Sequence, residues 1–274
     1  MKSRKIIKSI MVNLLGILIS LVFIVPSIAV VITSFKSNAE ANIISLTLPK
    51  KLMFENFAIA IEQGKLILSF KNSLINAFGS VTILIIIVCM AAFVIDRRRN
   101  KLSNFLYYFI LLGLAIPASN ITLIRIMKSI HLMNTRIGVI LIYIAINASL
   151  ALFLCKSFVS SVPREIDEAA IIDGCNSTSL FLRVIMPLLK PIIATLFVLN
   201  TMNIWNDFTL PLYFLNNSKM WPMTLAVYNF FGRYSQNWNL VCADVLLTTL
   251  PIMIIFILGQ KYIVGGLTAG SVKG

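Results

Sequence analysis

Apolar stretches of membrane-crossing length recur along the 274 residues, and any fold this chain adopts must first find them a solvent. They run from about Ile10 to Ile32, Ser73 to Ile95, Leu102 to Ile126, Ile137 to Lys156, just after Pro187 to Leu210, and Leu240 to Leu258. At about 1.5 Å of rise per residue, roughly 20 helical residues cross a hydrocarbon core of about 30 Å. Only 12% of the residues are charged and 58% are hydrophobic, whereas a soluble domain carries about a quarter charged residues. Lipid is therefore the expected solvent. The predicted fold class is all-α, a polytopic membrane protein of six transmembrane helices.

Polar residues refine that scheme. Pro26 is expected to kink the first span or mark its outer end. Pro117 and Ser119-Asn120 interrupt the third span, and Asn147 and Ser149 lie inside the fourth, where polar groups should face protein or water. The cluster Asp96-Arg97-Arg98-Arg99-Asn100-Lys101 ends the second span and is expected on a cytoplasmic headgroup surface. Six spans put both termini on one side. With the N-terminus inside, fourteen of the 24 Lys and Arg residues fall on the cytoplasmic side and ten outside. Arg125, Lys128 and Arg136 oppose that bias, so the orientation rests on the N-terminal and Arg97–Arg99 clusters. The chain then divides into a cytoplasmic N-terminus (1–9), a six-span domain (10–263) that includes a cytoplasmic loop at 157–187, and a cytoplasmic tail (264–274). Between the first two spans, Phe57-Ala58-Ile59-Ala60-Ile61 reads as a short interfacial helix. The basic N-terminus could imitate a secretory signal, but no A-x-A-like cleavage site follows it, and retention as a span is expected.

Several function classes are excluded on composition. The net charge of +14 lies in short clusters between apolar runs, which suits anionic lipid and makes no continuous stripe for nucleic acid. Cys89, Cys155, Cys175 and Cys242 are scattered with no C-x-x-C spacing, so neither a disulfide framework nor a zinc site is expected. His131 is the single histidine, and H-E-x-x-H, G-x-S-x-G and the G-x-x-x-x-G-K-[ST] phosphate loop are all missing. No catalytic residue and no cofactor or metal site is expected in this chain, and any ATP must be bound elsewhere.

One cytoplasmic segment has a sharp grammar. Pro163 suits a first helical turn, Glu165, Asp167 and Glu168 complement the positive helix end, and Gly174 supplies a left-handed stop. Asn176 or Ser177 can cap a second helix whose stripe Leu180, Phe181, Val184 and Ile185 runs until Pro187 stops it. Ile166, Ala169 and Ala170 share one face of the first helix, where small side chains allow close approach. Pattern alone fits both a docking helix and an amphipathic helix lying on the membrane.

Glu168-Ala169-Ala170, with Asp173-Gly174 and then Ile185-Met186-Pro187, resembles the EAA loop of ABC importer permeases. Ile171-Ile172-Asp173-Gly174-Cys175, Trp205-Asn206-Asp207-Phe208 with Pro211-Leu212, and the tail from Gln260 to Gly270 with Val272-Lys273-Gly274 are similar to the six-span carbohydrate-uptake permeases of the maltose type. The resemblance runs from Asn72 onward. It implies a type I ABC importer permease in which the loop forms a coupling helix seated in a groove of the ATPase. Glu168, Ala169 and Gly174 take that role here, with Glu165, Ala170 and Asp173 completing the set. Cys175 stands where the family usually has alanine and reads as a small apolar filler. The implied partners are a second permease subunit, two ATPase subunits that bind ATP and magnesium, and an extracytoplasmic sugar-binding protein. The implied location is the bacterial cytoplasmic membrane. The function expected is one half of a pathway for a sugar, an oligosaccharide in particular. The alternatives are a self-sufficient secondary transporter and an ABC permease for another solute such as a glycerol-phosphate compound.

A sugar pathway needs amides, hydroxyls and aromatic faces held between helices. The fifth span offers Asn200, Thr201, Asn203, Trp205, Asn206 and Asp207, with Asn147 in the fourth, and Asn203, Asn206 and Asp207 can share a face at i, i+3, i+4. Gluing helix to helix is the other use of such residues. Asp207 and Asp244 are each expected near an interface or paired with a cation, a proton-coupled role being the alternative. Trp221, Trp238, Tyr228, Tyr234 and Phe230-Phe231 suit an aromatic belt or contact with a delivery protein.

Overall fold

The computed structural model describes residues 2–98, 100–116, 118–230 and 237–269, and the side chains of those between 11 and 262. Arg99, Pro117, Phe231, Tyr234, Gly270, Val272, Lys273 and Gly274, all assigned a place from sequence, lie outside the described residues. Those residues form helices in the order α1 (Lys2–Ser34), α2 (Asn38–Ala41), α3 (Glu55–Gln63), α4 (Leu66–Arg98), α5 (Lys101–Ala115), α6 (Asn120–Ser129), α7 (Arg136–Val159), α8 (Glu165–Ile172), α9 (Ser177–Leu188), α10 (Lys190–Asn206), α11 (Thr209–Phe214) and α12 (Trp238–Ala269). Among them there is no strand. The chain folds as two compact units, one of Met1–Ile67 with Ala226–Leu250 and one of Leu68–Leu225 with Pro251–Gly274.

In the first unit, Pro26 lies inside α1, which continues unbroken to Ser34. No residue of the most apolar stretch of Met11–Ser34 is buried against the rest of the chain. The connection after it is pinned by polar groups. Lys36 is 1% exposed, and its Nζ donates to Ser45 O (3.0 Å), Ser45 Oγ (2.9 Å) and Thr47 Oγ1 (3.3 Å). Asn56 donates to the carbonyls of Ser34 and Lys36, both at 2.8 Å. Ala60 of α3 packs against Phe230, Leu240, Val241 and Ala243. The short helix expected at 57–61 forms, with Ala60 packed into a core and Asn56 just before it tied to the end of α1. At α2, Ser37 and Glu40 form a capping box. The Ser37 backbone N–H, its hydroxyl and the Lys50 N–H hold the Glu40 carboxyl below the ordinary carboxylate range. Its stabilising contribution is present above that range and is lost as pH falls through the lowered value. Amide exchange at Ser37 and Lys50 should therefore accelerate only on the acid side of ordinary carboxylate titration.

Asp244 of α12 is 1% exposed and its Oδ1 has no hydrogen-bond partner. Among the described residues neither Asp207 nor Asp244 forms an ion pair, so the expected cation partner is missing from both.

In the second unit, α4 and α7 are long and apolar enough to cross a bilayer, as are Met11–Ser34 and Trp238–Tyr262 outside it or at its edge. The other two predicted spans are broken. The third stops at α5, 15 residues long, because Ile116 precedes a proline and is extended (φ −99°, ψ 111°). The fifth is a pair, α9 and α10, bent by 71°. Pro187 does not stop α9, which runs on to Leu188. The bend follows Leu189, where Pro187 and Pro191 each remove a ladder donor and residues 180–185 are wound as a π-helix. α5 packs closely on α7. Ser149 Oγ donates to Ile110 O at 2.7 Å, and a Cβ at Gly113 would run into that same hydroxyl. Small residues at such crossings let helix backbones approach.

Candidate solute pathway and coupling loop

α10 ends at Asn206 because Asp207 turns extended (φ −72°, ψ 125°). The Asp207 carboxylate then caps α11, accepting from the N–H of Thr209 at 2.9 Å and of Leu210 at 3.3 Å. Beside this break lies a cavity of about 680 Å³, lined by Tyr143, Ile146 and Asn147 of α7, Met202, Asn203 and Asn206 of α10, and residues 207–210. Its polar groups are linked. The Tyr143 hydroxyl donates to Asp207 Oδ2 at 2.9 Å, Asn203 Nδ2 donates to Asn147 Oδ1 at 3.0 Å, and Asn147 Nδ2 donates to Tyr143 O at 2.8 Å. Asn206 is exposed into the same space. Amide and carboxylate groups together offer both donors and acceptors, the complement of a hydroxyl-rich solute.

Asn147, Asn203, Asn206 and Asp207 are brought together as the sequence pattern suggests, although Asp207 sits past the helix end and not at i+4 on it. Asn200 and Trp205 are not. Asn200 is buried and donates to Leu196 O of its own helix at 2.7 Å. Trp205 is 2% exposed and packs edge-on against Phe70, ring centroids 5.8 Å apart. Thr201 is fully buried and its hydroxyl has no partner. Tyr143 and Thr209 were missed. Tyr143 was within reach, since it lies one turn before Asn147 on the same face.

The second candidate region is the loop carrying α8. Its end is a Schellman cap: Gly174 N–H donates to Ile171 O (3.0 Å) and Cys175 N–H to Ala170 O (2.9 Å), with Gly174 at φ +85°. Asn176 caps α9 through Ser179 N–H at 2.8 Å. Glu165, Glu168, Ala169 and Ile172 are exposed at i, i+3, i+4 and i+7, and Ile172 is 85% exposed. Asp173 and Gly174 are exposed beside them, whereas Ala170 is turned into the chain. The small-residue face expected of Ile166, Ala169 and Ala170 is therefore split, with Ala169 outward and Ala170 inward.

The basic cluster at the end of α4 departs from expectation. Asp96 is 2% exposed, against the expectation that the cluster is too costly to bury, and Arg97 pairs with both Asp96 and Asp167. The Arg97 guanidinium can be buried because carboxylates meet it on two sides. Arg98 is exposed, as predicted.

Residues 85–268 match the family model described as the binding-protein-dependent transport system inner membrane component. The chain is 34% identical over 265 residues to a probable starch degradation products transport system permease of Thermoanaerobacterium thermosulfurigenes, covering 96% of each. It is 33% identical over 266 residues to the melibiose/raffinose/stachyose import permease of Bacillus subtilis, again covering 96% of each. Its fold matches a chain in the crystal structure of a bacterial ABC transporter involved in the import of the acidic polysaccharide alginate. That match has a TM-score of 0.84 at 20% identity, over 96% of this chain and 98% of the other.

Proposed function

The chain belongs to the family of binding-protein-dependent transport system inner membrane components, and from that premise we propose that it forms half of the pathway of an importer for a neutral oligosaccharide. As a member of that family it is a non-catalytic, multi-pass permease subunit of an ABC transporter, which displaces the secondary-transporter alternative. The observation that carries the substrate reading is the cavity beside the α10–α11 break, where two linked asparagines, a tyrosine and Asp207 face one space. An uncharged sugar can exchange hydrogen bonds with all four. A glycerol-phosphate compound would have to approach a carboxylate with no cation in the lining. The names of the two relatives, which concern starch products and raffinose-type sugars, support the same class.

The working assembly is a second permease subunit, two ATPase subunits carrying ATP and magnesium, and an extracytoplasmic binding protein, in a bacterial cytoplasmic membrane with both termini inside. α8 is the coupling helix, its outward stripe Glu165, Glu168, Ala169 and Ile172 seated on the ATPase with Asp173 and Gly174 at its end. α1, whose most apolar stretch has no buried residue, faces lipid and the second permease there. The test is uptake by the reconstituted assembly: neutral oligosaccharide should accumulate only with ATP, ATPase and binding protein present, and uptake without the ATPase sinks the reading. Asp207→Asn preserves shape but weakens a charge-assisted contact. It should lower neutral-sugar uptake about tenfold and relax discrimination against an anionic sugar, measured by competition. Unchanged selectivity and rate would remove Asp207 from the pathway.

A further inference from the structure

We propose that Arg97 is a positioning residue for energy coupling: its guanidinium fastens α8 to the last turn of α4, so that α4, α7 and α8 respond to the ATPase as one body. This rests on the reading of α8 as the docking helix. The geometry is a two-sided grip. On one side are Asp96, Arg97 and Phe93 of α4, and on the other are residues 160–167 and α9. Arg97 Nε donates to Asp167 Oδ2, and Nη2 donates to Asp167 Oδ1 and to Val162 O, both at 3.3 Å. Its Nη1 donates to Asp96 Oδ2 at 2.9 Å. Asp96 extends the grip, accepting from Ser160 Oγ at 2.6 Å through Oδ1 and from Arg164 Nη2 at 3.0 Å through its carbonyl. The Arg97 guanidinium also lies 6.0 Å from the centre of the Phe93 ring, which packs 5.5 Å from Phe181 of α9.

Burial separates this pair from the acidic residues around it. Glu165 and Glu168 are exposed, whereas Asp167 between them is 8% exposed. A carboxylate is turned inward on an eight-residue helix only where a cation meets it, and a bidentate guanidinium fixes orientation as well as distance. Without the pair, α8 keeps its packing on residues 180–185 of α9 and the turn at 160–164, whose Ser160 and Arg164 reach Asp96, but loses the one side-chain tie from its own turns to α4 among the described residues. A helix this short has little stiffness of its own. Force applied to its outer stripe reaches α4 most directly through Arg97, beside the contacts of Ser160 and Arg164 with Asp96 and of Phe181 with Phe93.

The test uses the full reconstituted transporter and reads solute moved per ATP hydrolysed. Arg97→Met combined with Asp167→Asn removes both partners of the forked pair, and Asp96, which loses its cation, keeps the hydrogen bond from the Ser160 hydroxyl. This double variant should assemble and keep basal ATP hydrolysis while its transport per ATP falls about tenfold. Arg97→Lys, which keeps the charge and loses the fork, should fall between, and Arg98→Ala should match the native chain. A double variant that assembles with the native ratio overturns the proposal. If it does not assemble, Arg97→Lys decides: a native ratio overturns the proposal and an intermediate one supports it. Failure of the docking reading itself would show separately, as native α8 that cannot be cross-linked to the ATPase.

Discussion

Proline in place of Gly174 is expected to abolish uptake in a chain that still inserts into the membrane. Gly174 sits at φ +85°, and a proline ring holds φ near −65° and removes the N–H that closes the cap on Ile171. The local cost is about 3 kcal/mol or more, enough to unwind the last turn of an eight-residue helix that is mostly exposed. The rest of the fold is insulated, because a Cβ at Gly174 would meet nothing within 4 Å. That open space also ranks the milder variants. Gly174→Ala should cost only the left-handed backbone penalty of about 1–2 kcal/mol, and Gly174→Asn less. Binding-protein-stimulated ATP hydrolysis and uptake should fall in the order Asn, Ala, Pro, with membrane insertion checked alongside. Native uptake by the proline variant would mean that the end of α8 takes no part in coupling.

Trp205→Ala should cost about 3–5 kcal/mol of stability, because the indole is among the largest fully enclosed side chains and its loss opens a void beside Phe70. Thermal unfolding of the detergent-solubilised protein reads the loss, and uptake should disappear with it, since Trp205 adjoins the break that orients Asp207. Trp205→Phe keeps an aromatic ring against Phe70 and should transport at close to the native rate. Asn203→Ala should do the reverse, lowering uptake with little change in unfolding temperature, because Asn203 is exposed in the cavity. If Trp205→Phe abolished uptake without affecting stability, the indole would be a substrate contact after all.

The contrast between Trp205 and Asn203 shows how far sequence carries. A run of amides and an indole in an apolar span marks a helix with a polar side, and that pattern singles out Asn203, Asn206 and Asp207, with Asn147 of the preceding span, as the residues that line one cavity. Which residues turn inward depends on where α10 stops and how it is rotated against α7, and that is set by tertiary packing. The C-terminal end of α8 and the start of α9 were legible because capping is local, Gly174 and Asn176 acting within a few residues, whereas Pro163, expected in the first turn of α8, precedes a helix that begins at Glu165. Arg97 was misread for the opposite reason. Asp167 lies 70 positions from Arg97 and Ser160 lies 64 from Asp96, and charge beside an apolar run reads as headgroup contact until such distant partners are seen. The breaks at Ile116 and Leu189 were signalled by proline, but only the folded chain shows that the path bends beside Pro187 while α1 stays helical through Pro26.

The bend at Leu189 has a mechanical corollary. α9, twelve residues from Ser177 to Leu188, is an arm about 18 Å long, hinged at one end and joined at the other, through Cys175 and Gly174, to α8. Swinging such an arm by about 10° sweeps its tip by about 3 Å, while α10 and the cavity wall beyond the elbow need not tilt. On the proposed coupling route, the break lets a small angular stroke at one end of the segment be metered before it reaches the cavity.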